Sequence, residues 1–151
     1  MKKIYGLNYL SDEFYKQYPS VEFPEIEHKT SRPYMVLLIK IDNNTYAIPF
    51  RTNIRHKYCY KFKNSNRDSQ SVTGLDYTKA VIVNDANFIG NKANIDNKEF
   101  VELNSKYYFI ISQFKKYVRG YGDYVNGKLN QYEQRKYQFS TLKYFHNELN
   151  L

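Results

Sequence analysis

Two apolar runs, residues 34–41 and 45–50, flank Asn43-Asn44, a pair that tolerates the positive φ of a two-residue turn. They predict a β-hairpin dense in β-branched and aromatic residues. Residues 58–63, YCYKFK, alternate with period two and predict a half-buried strand whose other face carries Lys61 and Lys63. Residues 4–7 predict a short strand, and residues 80–83 continue an element that Gly74 starts. Helical spacing is longest from Phe100 through Leu103, Tyr107, Ile110 or Ile111, Phe114 and Val118 to Tyr121. Asp96 and Glu99 have the spacing of a capping box before it. Gly120 and Gly122 are expected to end it, with Lys115, Lys116 and Arg119 in its last turns, where the helix dipole favours cations. Ser11 can cap a helix reaching Tyr18 and closed by Pro19, with Leu10 and Phe14 inward. Ser140 can cap a closing helix to Leu149, with Leu142, Phe145 and Leu149 inward. Between these, residues 124–133 predict a weak helical segment and 137–139 a short strand. Residues 19–31, 64–73 and 85–96 are polar and predict loops, with His28 solvated in the first.

This order of elements is α/β in composition and α+β in arrangement. The chain has 151 residues, enough for one domain with a core of its own, and no internal repeat or linker divides it. A single domain over residues 1–151 is expected. Lys and Arg total 23 against 15 Asp and Glu, a net charge of +8. The cations recur along the whole length, which favours an anionic partner. Seventeen Tyr and ten Phe accompany no Trp; an AT-rich coding bias accounts for most of that load, while rings beside cations can also stack on unpaired bases. No apolar run approaches the roughly 20 residues of a membrane helix, and Lys2-Lys3 is not followed by the apolar stretch of a signal peptide. No membrane partner and a cytoplasmic location are expected. Cys59, the one cysteine, is expected to be a small buried hydrophobe.

The chemistry concentrates after the hairpin. Arg51, Thr52, Asn53, Ile54, Arg55, His56 and Lys57 hold three permanent cations, an imidazole and a hydroxyl, with no carboxylate among them. No zinc, two-metal, Walker-loop or dinucleotide pattern is present, and no cofactor is implied. RNA cleavage is a reaction that side chains alone can run, because the 2′-hydroxyl is its own nucleophile. Arg51 and Arg55 would offset phosphoryl charge, Thr52 would donate a neutral hydrogen bond, and His56 would carry a proton. The competing reading of the run is a solvated basic loop. Lys40, inside the first hairpin strand, and Lys79, at the start of another, are odd choices for those positions. Either is a candidate contact to RNA, with Asn53, Lys57, Lys61, Lys115 and Arg119, or a solvated edge residue.

The segment RPYMVLLIKIDNNTYAIPF followed by RTNIRHK resembles the core of the type III toxin–antitoxin toxins, the ToxN, AbiQ, CptN and TenpN group. IYGLNYLSDEF, GLDYTKAVIV and the late FSTLKYF agree with that family in order and character. The resemblance implies a compact fold with a strongly bent antiparallel sheet, or small barrel, flanked by helices. It implies a metal-independent, sequence-selective endoribonuclease that leaves a 2′,3′-cyclic phosphate on cellular or phage mRNA and acts in phage defence. It further implies an antitoxin partner, a small folded repeat RNA, joined with the toxin in a closed protein–RNA hetero-oligomer. By position, the family's loop hydroxyl falls on Thr52, its loop lysine near Arg55, and its basic residue before the hairpin on Arg32. An N-terminal tyrosine corresponds to Tyr9. Where ToxN-like members have Thr-Ser-Pro-Lys, this chain has Arg-Thr-Asn-Ile-Arg-His, so acid and base roles do not carry over and His56 is the candidate to act where lysine acts elsewhere. A non-catalytic RNA-binding module and a plain scaffold protein are the alternatives.

Overall fold

A computed structural model describes residues 6–28, 34–66 and 72–151. Seven antiparallel strands form one open sheet: β1 (Gly6–Leu10), β2 (Met35–Ile41), β3 (Asn44–Thr52), β4 (Cys59–Lys61), β5 (Thr73–Asp76), β6 (Val81–Ile82) and β7 (Ile89–Lys92). The order is β4-β5-β3-β2-β1-β7, with β6 also on β3. Of the two forms expected, the open sheet is found and not the barrel. The first strand runs Gly6–Leu10 rather than over residues 4–7, of which 4 and 5 lie outside the described residues.

The long strand β3 organises the sheet. One edge pairs with β2 from Asn44 to Pro49, while the other pairs with β6 at Tyr46 and Ala47 and with β5 from Phe50 to Thr52. The second ladder is broken across Ile48 and Pro49, and proline has no N–H to give it. Tyr77–Lys79 forms a 3-10 turn in the gap, so the single strand expected after Gly74 is two, β5 and β6. The hairpin turn is Asp42-Asn43, one residue earlier than expected, with Asp42 at φ 56°. Asn44 is already committed to the sheet corner: its side chain donates to the Glu148 carbonyl at 2.9 Å and accepts from Asn84 at 2.9 Å.

Residue alternation gives the sheet two faces. Tyr46, Ile48, Phe50 and Leu75 face α2 (Asn97–Val125), seen in the Tyr46–Phe114 ring contact at 5.1 Å. Ala47, Pro49 and Arg51 point the other way. There α1 (Asp12–Gln17), residues 19–28 and the C-terminal segment cover the sheet at its centre, with Phe14 and Phe145 fully buried. Ser11 caps α1 as expected, accepting from the Phe14 amide at 3.3 Å. His28 is not solvated: it is half-buried, with its ring nitrogens 2.7 Å from the Ile26 carbonyl and 2.8 Å from that of Tyr18.

Five further expectations are corrected. Residues 89–92 form strand β7, a polar edge tied to β1 by Asn8 donating to the Gly90 carbonyl at 3.1 Å. Helix α2 runs through Gly120 and Gly122 to Val125 and turns at Gly127, φ 71°. Its last turn therefore holds no basic residue. Residues 137–139 are a turn rather than a strand, because Tyr137 is buried against α2 and donates from its hydroxyl to the Tyr117 carbonyl at 2.9 Å. The closing helix is split into a 3-10 turn, Thr141–Tyr144, and α4, His146–Leu149, at Phe145. Residues 124–133 give only the end of α2 and the short α3, Gln131–Gln134.

Candidate functional site

Strands β3, β5 and β4 bring one set of side chains to the open end of the sheet. Gly74 pairs with Arg51 on one side and Lys61 on the other, and Asp76 pairs with Cys59. Cross-strand partners share a face, as do residues two apart, so Arg51, Asp76 and Lys61 lie on the same side. Gly74 leaves space between them. A Cβ there would stand 2.9 Å from Ile54 Cδ1 and 2.8 Å from the Tyr60 carbonyl, so Ile54, the apolar residue of the basic run, seats on the glycine and pins the loop.

Asp76 is the hub. Its carboxylate has no solvent exposure, and Arg51 Nη1 donates to Oδ2 at 2.6 Å. His56 Nε2 lies 3.2 Å from Oδ1, and Thr78 donates to the same oxygen through both its hydroxyl, at 2.6 Å, and its amide, at 3.0 Å. Burial alone would raise the Asp76 pKa. Hydrogen bonds from His56, Thr78 and Arg51 together outweigh it and hold the carboxyl below its ordinary range. Arg51 also reaches Glu27 at 3.3 Å, and Glu27 accepts from the Tyr34 hydroxyl at 3.2 Å. Desolvation would lower the guanidinium pKa, yet the pairing with Asp76 and Glu27 raises it.

The His56 tautomer follows from its neighbours. Nδ1 accepts from the Tyr58 amide at 3.0 Å, which places the proton of the neutral ring on Nε2, facing Asp76. The ring stacks on Tyr58 with centroids 5.8 Å apart and planes 25° from parallel. About a third of the His56 side chain and 29% of the Arg51 side chain remain exposed. Each can meet a ligand while held.

Beside this group lies a cleft of about 390 Å3 lined by Asn53, Ile54, Arg55, Lys61, Val72 and Gly74. Asn53 turns the chain into it at φ 55°, its amide donating to the Val72 carbonyl at 2.9 Å. Two cations, one carboxamide and apolar walls suit a nucleotide: phosphate against Arg55 and Lys61, base against Ile54 and Val72.

The structure thus gathers Arg51 and His56 on Asp76, and Asn53, Arg55 and Lys61 around the cleft next to them. Lys57 is exposed on the same loop. Thr52 is exposed at the end of β3, on the face opposite Arg51 by alternation. Tyr9 pairs with Met35, and Val36 pairs with Pro49, so Tyr9 also lies on the face opposite Arg51. Lys79 is half-buried in the 3-10 turn, where it lines a void of about 10 Å3 with Tyr15, Glu27 and Tyr34. Lys40 is exposed beside Thr45, about 20 Å along β3 from Arg51. Its strand is interior, not an edge. Lys115 and Arg119 are exposed on α2, against the other face of the sheet. Arg32 lies outside the described residues. Cys59 is buried, its thiol donating to the His56 carbonyl at 3.4 Å and its pKa raised by desolvation.

Sequence reasoning missed Asp76, Glu27, Tyr34 and Thr78. The signal for Asp76 was present: a lone carboxylate in an apolar strand needs buried partners, and the adjacent basic run was the obvious supply. Among the described residues no three His, Cys, Asp or Glu side chains are grouped to hold a metal, and no helix is long and apolar enough to cross a membrane. No protein-family model, curated protein or solved structure matches the chain.

Proposed function

We propose that this protein is a metal-independent endoribonuclease, the toxin of a type III toxin–antitoxin pair, restrained by a small folded repeat RNA that occupies the same cleft. The observation that carries the reading is the buried Asp76 carboxylate, which orients Arg51 and His56 at the lip of the cationic cleft. In the reaction the 2′-oxygen forms a bond to phosphorus as the bond to the 5′-oxygen breaks. One proton leaves the 2′-hydroxyl and one reaches the 5′-oxygen, giving a 2′,3′-cyclic phosphate and a 5′-hydroxyl. Arg51 and Arg55 offset charge on the phosphoryl oxygens. His56, neutral with its proton on Nε2 because Nδ1 accepts from the Tyr58 amide, is held by Asp76 as a neutral hydrogen-bond donor beside the phosphate, and the 2′-proton leaves to water while water protonates the 5′-oxygen. Thr52 lies on the opposite face of β3 and takes no part in this arrangement.

The engagement of both His56 nitrogens also favours a second reading, an RNA-binding module without activity. Incubation with RNA in the presence of a chelator separates the two. New ends carrying 2′,3′-cyclic phosphate support the nuclease; bound RNA with no new ends supports the binding module. Purification from cells carrying the native upstream DNA tests the antitoxin part, for which a uniform repeat-derived RNA is the expected companion.

A further inference from the structure

Lys136 is a half-buried cation with no carboxylate in salt-bridge range among the described residues. Its Nζ lies 5.2 Å from the Tyr58 ring centroid, 5.5 Å from that of Tyr137 and 5.9 Å from that of Tyr117. Three rings attract the ammonium and fix its position, but they carry no net charge to cancel it. Lys57 Nζ approaches the same Tyr58 ring at 5.9 Å. Arg51 with Asp76 and Glu27, Lys143 with Glu25 at 3.0 Å and Lys16 with Glu13 at 3.6 Å show the carboxylate pairing that Lys136 lacks. Burial and the charge of Lys57 lower the Lys136 pKa, against a weaker upward pull from Glu133 one turn earlier.

Two ammoniums gathered on one ring repel each other, and a shared anion would relieve that repulsion. The ring also stacks on His56, so the pair stands one tyrosine away from the Arg51–Asp76–His56 group. We infer that Lys57, Lys136 and Tyr58 form a subsite for a phosphate of the RNA strand flanking the one that is cut. This rests on the proposed nuclease reading for its place in the reaction, while the subsite itself is a binding statement.

The test uses a 12-nucleotide single-stranded RNA of random sequence, 2′-O-methylated throughout so that it cannot be cut, with binding followed by fluorescence anisotropy over a sodium chloride series. Lys136→Met keeps the length and packing of the side chain without its charge. It is expected to bind several-fold more weakly at 0.1 M salt, with the slope of log affinity on log salt smaller in magnitude by about 0.7, the loss of one phosphate contact on a single strand. Lys136→Arg is expected to keep the wild-type slope. Lys57→Gln, at an exposed position, should lose a similar increment and carries the test if Lys136→Met does not fold. Wild-type slopes in both charge-removing variants would overturn the subsite, as would no binding of the probe by the wild-type protein. Cleavage of the unmodified RNA is read separately: a slope change without cleavage sinks the nuclease reading and leaves the subsite, and cleavage without a slope change does the reverse.

Discussion

Asp76 Oδ1 stands 3.2 Å from His56 Nε2, and no part of the carboxylate reaches solvent. The ion therefore depends on its partners for all its solvation. In Asp76→Asn the oxygen can still accept from His56 and Thr78, but an NH2 group replaces the acceptor facing Arg51. A loss on the order of 2–3 kcal/mol is expected, which lowers Tm by roughly 5–10 °C for a domain of this size.

The same substitution should change the pH dependence. Because the folded pKa of Asp76 is depressed, its contribution is present above the unfolded value of about 3.9 and is lost as pH falls toward the folded value. Thermal melts of wild type and Asp76→Asn should differ by a constant amount above about pH 5. The gap should narrow below pH 4. A gap that is unchanged down to pH 3 would mean that Asp76 is not held as an ion by these partners.

If the site cuts RNA, the hydrogen-bond donor that Asp76 holds beside the cleft matters, and the hydroxyl on the opposite face of β3 does not. His56→Ala should reduce the rate about 10²–10³-fold, as for the loss of one positioned donor, and Thr52→Ala, on the opposite face of β3, should leave it close to wild type. Thr52→Ala should melt close to wild type because its side chain is exposed, while His56→Ala removes one of the three groups that solvate Asp76 and should melt lower. Unchanged cleavage by His56→Ala, measured as cyclic-phosphate ends per unit time, would remove His56 from the mechanism, and a large loss in Thr52→Ala would overturn this placement of the site.

The hairpin, the Ser11 cap, the N-terminus of the long helix and the richness of the segment after the hairpin were legible in sequence, because each depends on neighbours within a few residues. What was not legible depended on partners far along the chain. The turn moved to Asp42-Asn43 because Asn44 is tied to Glu148 and Asn84. Asp76 became the hub only when pairing set it near Arg51, 25 residues earlier. Thr52 and Arg51, adjacent in sequence and assigned to one phosphate, emerge on opposite faces by the plain alternation of a strand that continues through both. Of the 17 Tyr, seven are in the buried core: Tyr46, Tyr60, Tyr77, Tyr107, Tyr117, Tyr121 and Tyr137.

The glycines of α2 show why local propensity failed. Both sit where alanine would favour the helix by about 1 kcal/mol. At Gly120, however, a Cβ would stand 2.0 Å from Tyr137 Oη, whereas at Gly122 the nearest atom is Leu151 Cδ2 at 3.9 Å. Gly122→Ala should therefore raise Tm by a few degrees and Gly120→Ala should lower stability by about 2 kcal/mol. Tyr137→Phe in the Gly120→Ala background should recover part of the loss, since the hydroxyl is the atom in the way. Two alanine variants with the same sign would show that helix propensity alone governs these positions.

Helix α2 also holds the approach to the cleft. Asp96, Glu99 and Glu102 face residues 63–66: Glu102 accepts from the Lys63 amide at 2.9 Å, the Asn64 amide at 2.7 Å and the Tyr60 hydroxyl, Glu99 from the Ser65 hydroxyl at 2.6 Å, and Asp96 from the Asn66 amide at 3.1 Å. Burial would raise the Glu102 pKa, but these donors outweigh it and lower it, so the anchor is at full strength above the ordinary glutamate value of about 4.3 and weakens as pH falls below it. Glu102→Gln keeps the shape and loses one of two acceptors, leaving an NH2 among N–H donors, at a cost on the order of 2 kcal/mol. The cost falls on the segment that leads from β4 toward Val72, a wall of the cleft. Hydrogen exchange at the Lys63 and Asn64 amides should accelerate at least tenfold in Glu102→Gln at neutral pH, while amides in the middle of β2 and β3 follow only the change in global stability. Uniform acceleration across the domain would instead make Glu102 a part of the general core, with no particular hold on the cleft.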